Sequence, residues 1–256
     1  MRSLVVDEKG CDASVLIDAP SSERTALPNL GLRGFAVIDD AKAELEKACP
    51  NTVSCADILA LAACGGSSWD VPLGRRDGRI SSASEVFALP SPADSVAVQR
   101  RKFAAKGLDH FDLVTLVGAH TIGKTACQFF RYRLYNFTSG TGPDPTINET
   151  MLEQLKSVCP ENSDGRERVG LDSGAELEFD ASFYHNVREG KDVLESDQRL
   201  WEDRATHTMV NMYARDATGS HKFRKNFEEA IVRMGSIEVK TGVQGEIRRI
   251  CSKINY

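Results

Sequence analysis

Residues 112–124 read Asp112-Leu113-Val114-Thr115-Leu116-Val117-Gly118-Ala119-His120-Thr121-Ile122-Gly123-Lys124. Leu113, Leu116, Val117 and His120 recur at three- and four-residue spacing, so a helix starting near Asp112 carries the imidazole on its apolar face. A buried neutral imidazole has one nitrogen that donates and one that accepts or ligates. Two roles fit that position: a core histidine with its hydrogen bonds satisfied, or an axial metal ligand beside a large apolar group.

Outward from this run, the whole chain sets bounds. Its 256 residues suffice for one large domain or two small ones around a sizeable core. A net charge of −5 excludes a general nucleic-acid binder, and the basic runs Arg75-Arg76 and Arg100-Arg101-Lys102 are short enough to be solvated or paired faces. No apolar run reaches the length that spans a bilayer, so no membrane partner is expected.

Signals of compartment conflict. Leu4-Val5-Val6 is the sole apolar run of the first eight residues, too little for a secretory signal. Yet seven cysteines without a zinc-type spacing, and the sequons Asn136-Phe137-Thr138 and Asn148-Glu149-Thr150, point to export. The expectation is an exported protein whose gene reading has lost its beginning. An odd number of cysteines leaves at least one thiol unpaired or bridging two chains.

In order, the chain reads as mainly helical, without repeats, low-complexity tracts or a clean linker. Gly10, Asp12 and Ser14 alternate in an extended loop, which is either a Gly/Asp turn or one side of a site for a hard cation. Residues 35–48 form an amphipathic helix with Phe35, Ile38, Ala41 and Leu45 on one face, closed by Cys49-Pro50. The segment from Ser54 to Ala63 reads as a buried helix, and its Asp57 needs a partner in Arg75 or Arg76. Leu89-Pro90-Ser91-Pro92 punctuates the chain before helices at about 93–106 and 110–117.

Several motifs fall in one order: Gly10-Cys11-Asp12-Ala13-Ser14-Val15-Leu16, Leu32-Arg33-Gly34-Phe35, Val53-Ser54-Cys55-Ala56-Asp57, Val71-Pro72-Leu73-Gly74-Arg75-Arg76-Asp77-Gly78 and Val117-Gly118-Ala119-His120-Thr121-Ile122-Gly123. Phe179-Asp180, Ser196-Asp197-Gln198 and Met234-Gly235 follow. With them the chain resembles the secretory plant (class III) haem peroxidases from about residue 10 to Cys251.

That resemblance implies a mainly α haem-peroxidase fold as a single domain over 1–256, with haem b between a distal part, about 1–92, and a proximal part, about 93–256. It makes His120 the axial ligand of the haem iron. It implies two calcium sites. The proximal one would use Thr121, Asp172, the carbonyl of Glu178 and Asp180, with Ala175 where the family has Ser or Thr. The distal one would use Gly10, Asp12, Ser14 and Glu23, with Val5 in place of its first carboxylate. It pairs Cys55 with Cys251 and Cys127 with Cys159, leaves Cys11 and Cys49 to pair with each other, and makes Cys64 additional. Pro90 matches the proline near the haem edge where donors dock.

Three departures also follow from the resemblance. The acidic partner of the axial histidine falls near His207, which cannot supply a negative charge. The distal His-Asp-Cys positions read Leu4-Val5-Val6, and the distal Arg would precede Met1, so no catalytic residue is assigned. The helix before Cys64-Gly65-Gly66 is short by about two turns. The implied reaction is reduction of hydrogen peroxide with oxidation of phenolic or similar small donors, by a secreted monomer. This polypeptide is expected to be a poor or dead peroxidase. Two readings of other classes stay open: a non-catalytic haem- or calcium-binding relic, and a secreted helical module without a cofactor.

Overall fold

The structure is a computed structural model that describes residues 11–63, 69–138 and 142–255. The chain divides into two compact units, one holding the residues up to Leu89 with those from Ile231 onward, the other Pro90–Ala230. The Leu4–Val6 stretch, Gly10 and Cys64 lie outside the described residues.

In the first unit, helix α1 spans Phe35–Ala48, the range that the apolar spacing predicts, and α2 spans Cys55–Ala63, one residue inside the predicted 54–63. Their inner faces share a core with Ala13, Val15, Leu16, Ile38, Cys55, Ile58 and Cys251, with Phe35, Ala41 and Leu45 packed against it. Lys42 lies buried on the same helix because its ammonium reaches both Glu46 and the Val53 carbonyl, each at 2.6 Å. The Asp77 carboxylate accepts the N–H groups of Cys55 at 3.1 Å and Ala56 at 2.8 Å, closing the orphan donors at the start of α2. Asp57 accepts from the N–H groups of Gly74 and Arg75 and from Arg75 Nη1 at 3.4 Å. Arg75 is therefore the partner, and Arg76 turns instead to the Gln244 carbonyl. The disulfide Cys55–Cys251 joins α2 to the chain's last residues.

In the second unit, α3 (Val96–Ala104) and α4 (His110–Val117) are followed by strand β1 (Lys124–Ala126), α5 (Tyr132–Tyr135) and α6 (Glu149–Val158). Then come β2 (Arg168–Gly170), α7 (Ser182–Arg188), α8 (Glu195–Glu202), α9 (His207–Tyr213) and α10 (Ala217–Met234), whose last residues count with the first unit. β1 and β2 pair antiparallel with Thr125 opposite Val169. The disulfide Cys127–Cys159 sits in a core of Phe130, Leu134, Met151, Leu155, Val193 and Leu194. A second core is aromatic: Tyr184 meets Tyr213 at 4.8 Å and Phe223 at 5.2 Å between ring centroids.

Asp109 and Asp112 form a capping box that starts α4. The α-helix stops at Val117 and tightens into a 3₁₀ turn, Gly118–Thr121, so His120 lies just past the helix, not on it. Gly118 explains the tight fit here. A Cβ at that residue would lie 2.2 Å from Tyr184 Oη and 2.5 Å from Phe223 Cε2.

Candidate functional site

The turn after α4 presents His120, and the first turn of α8 presents Asp197 to it. His120 Nδ1 lies 2.5 Å from Asp197 Oδ2, and that carboxylate is almost fully buried. An ionised carboxylate only accepts, so Nδ1 carries the proton and the Nε2 lone pair is left free. Among the described residues Nε2 meets no hydrogen-bond partner, although the ring keeps 18% of its surface open. Phe183 presses on the ring edge-on, at 6.2 Å between centroids. An imidazole held this way fits the axial position of a haem iron.

This corrects the expectation that the acidic partner is replaced by His207. His207 Nδ1 is bonded to the Trp201 carbonyl at 2.7 Å, and its ring stacks on Trp201 at 3.9 Å. The negative charge is present, and it comes from the Ser-Asp-Gln motif itself. Ser196 supports it by donating its hydroxyl to Asp197 Oδ1 at 3.0 Å.

Beside His120, oxygen atoms converge. Thr121 Oγ1 lies 2.8 Å from Asp172 Oδ2, 3.2 Å from the Glu178 carbonyl and 3.3 Å from Asp180 Oδ1. The Ser182 hydroxyl, at the start of α7, lies within hydrogen-bond reach of both carboxylates, and Asn186 Nδ2 donates to Asp172 Oδ1 at 2.5 Å. Burial, with the charge of Asp180 added, pushes the Asp172 carboxyl up from its ordinary range against the hydrogen bonds of Ser182, Thr121 and Asn186. Two carboxylates, two hydroxyls and a carbonyl make a donor set that fits a hard cation. Ala175 adds no side-chain donor, and its carbonyl accepts the Glu178 N–H at 2.9 Å. Among the described residues no three His, Cys, Asp or Glu side chains converge, which excludes a zinc-type cluster there.

The first unit's candidate set is arranged otherwise. Asp12 is buried; its Oδ1 accepts the Ser14 N–H at 3.1 Å, while its Oδ2 is ion-paired with the Lys240 ammonium. The loop does not stay extended but turns into a 3₁₀ helix at Ser14–Leu16. Glu23 is buried too, with Oε1 3.2 Å from the Ser81 hydroxyl. Asp12 and Glu23 thus have separate partners.

Cys11 and Cys49 do not pair; both are free thiols. Cys11 Sγ donates to the Met234 carbonyl at 3.4 Å, and burial, outweighing the nearby Arg75, raises its pKa to about 11. Pro90 is exposed. Of the two sequon asparagines, Asn136 is exposed, while Asn148 caps α6 by accepting from the N–H groups of Thr150 and Met151.

Comparison with known proteins matches residues 3–216 to the family described as Peroxidase. The chain is similar to Peroxidase 25 of Arabidopsis thaliana, with 59% identity over 96% of this chain and 78% of that protein. It is 52% identical to Peroxidase N1 of Nicotiana tabacum, over 96% of this chain and 77% of that one. Peroxidase 71 of Arabidopsis thaliana is 53% identical, over 96% and 76% respectively.

Proposed function

The chain belongs to the peroxidase family, and on that premise we propose that His120 holds a haem iron through Nε2 while Thr121, Asp172, Glu178 and Asp180 hold a calcium ion beside it. It is mostly helical, has the haem-peroxidase fold, and is a peroxidase by family. Haem b, when bound, supplies the iron at which hydrogen peroxide is reduced while phenolic or similar small donors give up electrons one at a time. Asp197 accepts a hydrogen bond from His120 Nδ1–H, which fixes the tautomer and makes Nε2 a stronger donor to the metal. Phe183 restrains the ring, and a cation at Thr121 would anchor the backbone next to the ligand.

The observation that carries this reading is the 2.5 Å contact between His120 Nδ1 and Asp197 with Nε2 left free. Proton transfer to and from the peroxide oxygens needs a positioned acid–base group. Leu4, Val5 and Val6 have none to offer at the positions where the resemblance expects one. Since such catalysis contributes about 10²–10⁴ in rate, the polypeptide as written turns over slowly. Calcium binds once per chain, at Thr121, because Lys240 already neutralises Asp12. Export as a monomer, a glycan at the exposed Asn136 and donor docking near Pro90 complete the proposal.

The test is expression of this polypeptide with haem and calcium, followed by absorbance and turnover of a phenol with peroxide. A Soret band with weak turnover is expected. Near-normal turnover would overturn the impairment, and absence of the band would overturn the haem reading.

A further inference from the structure

A second buried carboxyl lies behind the one that holds His120. Asp192, in the turn before α8, is completely buried. Its Oδ1 accepts the Leu194 N–H at 3.0 Å, its own N–H meets Gln198 Oε1 at 3.4 Å, and its carbonyl accepts Arg133 Nη1 at 2.9 Å. Its Oδ2 meets no partner among the described residues. Asp197 is served differently. One of its oxygens accepts from His120 Nδ1–H and the other from the Ser196 hydroxyl.

Two buried carboxyls within electrostatic reach of each other do not both ionise without a large cost, and the charge settles where more donors point. Asp197 has a donor on each oxygen, while among the described residues one donor meets the Asp192 carboxyl. The charges that act on Asp192 are those of Asp197, Asp172 and Arg133. Arg133 is engaged with Asp144 through Nε at 2.9 Å and with the carbonyls of Asp192 and Val193, and its Nη2 is unpartnered. Among the described residues no guanidinium nitrogen is bonded to the Asp192 carboxyl. Burial above all, then the charges of Asp197 and Asp172, push that carboxyl well above its ordinary range, and Leu194 N–H and Arg133 do not restore it.

We propose that Asp192 is a positioning residue that stays a neutral, proton-bearing carboxylic acid at neutral pH, anchoring the turn that launches α8 while keeping a second negative charge away from the His120–Asp197 pair. The protonation is carried by the burial of Asp192, its unpartnered Oδ2 and the nearby Asp197, and needs no haem; its consequence for the iron rests on the reading of His120 as axial ligand. Asp192→Asn retains the acceptor for Leu194 N–H and removes the titration. Asp192→Ser also keeps an oxygen there, in case the amide variant does not fold.

Infrared spectra of the purified chain at neutral pH should show a protonated-carboxyl stretch that disappears in Asp192→Asn or Asp192→Ser. A group with raised folded pKa contributes stability that is complete below its unfolded pKa and is lost as pH rises toward the folded value. In urea unfolding the wild type should therefore lose stability relative to the variant as pH rises from about 4, the unfolded aspartate value, through neutrality. No carboxyl band and parallel pH profiles would overturn the proposal. In the haem-loaded ferrous chain, the iron–imidazole stretch should be the same in wild type and Asp192→Asn. A shift would mean that a charge had been removed, which also overturns it. If neither protein shows a Soret band, the haem reading fails, and the infrared and urea results still decide the Asp192 claim.

Discussion

Around Thr121, two carboxylates, two hydroxyls and a carbonyl crowd together, with hydrogen-bond donors between them and no ammonium or guanidinium bonded to either carboxylate among the described residues. Around Asp12, an equally buried carboxylate already carries the Lys240 ammonium. Burying an ionised group is costly unless an opposite charge meets it. On the proposed reading the first cluster takes its cation from solution, whereas the second already holds the Lys240 ammonium. Proximity of acids alone does not mark a metal site; what matters is whether the chain answers their charge itself.

The largest expected effect tests the half of the comparison that leaves a ligand position open. His120→Ala should abolish the Soret band of the reconstituted chain, and Asp197→Asn should keep the band with roughly 10- to 100-fold weaker haem affinity or activity. Equal, full haem retention in both would break the argument.

Next comes Arg133 with Asp144, a pair that, like Asp12 with Lys240, is answered within the chain, but with both side chains completely buried. Asp144→Ala leaves a buried guanidinium unpaired and should cost about 3–5 kcal/mol in urea unfolding. The pair also predicts an acid response. Burial opposes ionisation of Asp144, but hydrogen bonds from Thr146 and the Arg133 charge prevail and hold its carboxyl below the ordinary range. Its stabilisation is present above the unfolded pKa and is lost as pH falls through the folded one, and Asp144→Ala should flatten that acid limb.

A smaller effect bears on calcium itself. Chelation should lower the stability of the loaded protein by about 2–3 kcal/mol where calcium had stood near a hundred times its dissociation constant. Thr121→Val should weaken that response, and Lys240→Met should leave it intact. Two calcium ions per wild-type chain by titration would erase the distinction between the clusters.

The smallest effects come from a glycine in each region. Gly118→Ala drives a methyl into Tyr184 and Phe223 and should cost about 1–3 kcal/mol. Gly78→Ala, whose Cβ would lie 2.2 Å from Asp12 Oδ2, should displace that carboxylate from Lys240 at a similar cost. Calcium uptake should be unchanged by either.

Much of this was legible in the sequence. The apolar spacing of 35–48 and 54–63 locates α1 and α2 to within a residue, and the buried Asp57 announces its need for an arginine. The Thr121 cluster follows from the resemblance, except for Ser182, whose hydroxyl enters because α7 begins there. The partner of His120 was misread. Asp197 stands in the first turn of a helix, where an acid is ordinarily explained by the helix dipole, and its contact spans 77 positions of sequence. A usable signal was present nonetheless: Ser196-Asp197-Gln198 is one of the motifs that carry the resemblance, and in the structure all three polar side chains are buried. Asp192 was invisible for a related reason, since nothing local distinguishes a buried acid in a turn from a solvated one.

The disulfide from Cys55 to Cys251 gives the protein a timetable. Pro90–Ala230 is one uninterrupted stretch and can begin to condense while the ribosome is still elongating. The other unit draws on segments both before and after that stretch, so its early helices must wait, on the order of ten seconds at ordinary elongation speeds, for Cys251 to emerge. During that interval Cys55 is a thiol without its mate, in a nascent chain that already contains Cys127 and Cys159. Oxidation in the right sequence, and not only in the right places, is thus written into the order of its residues.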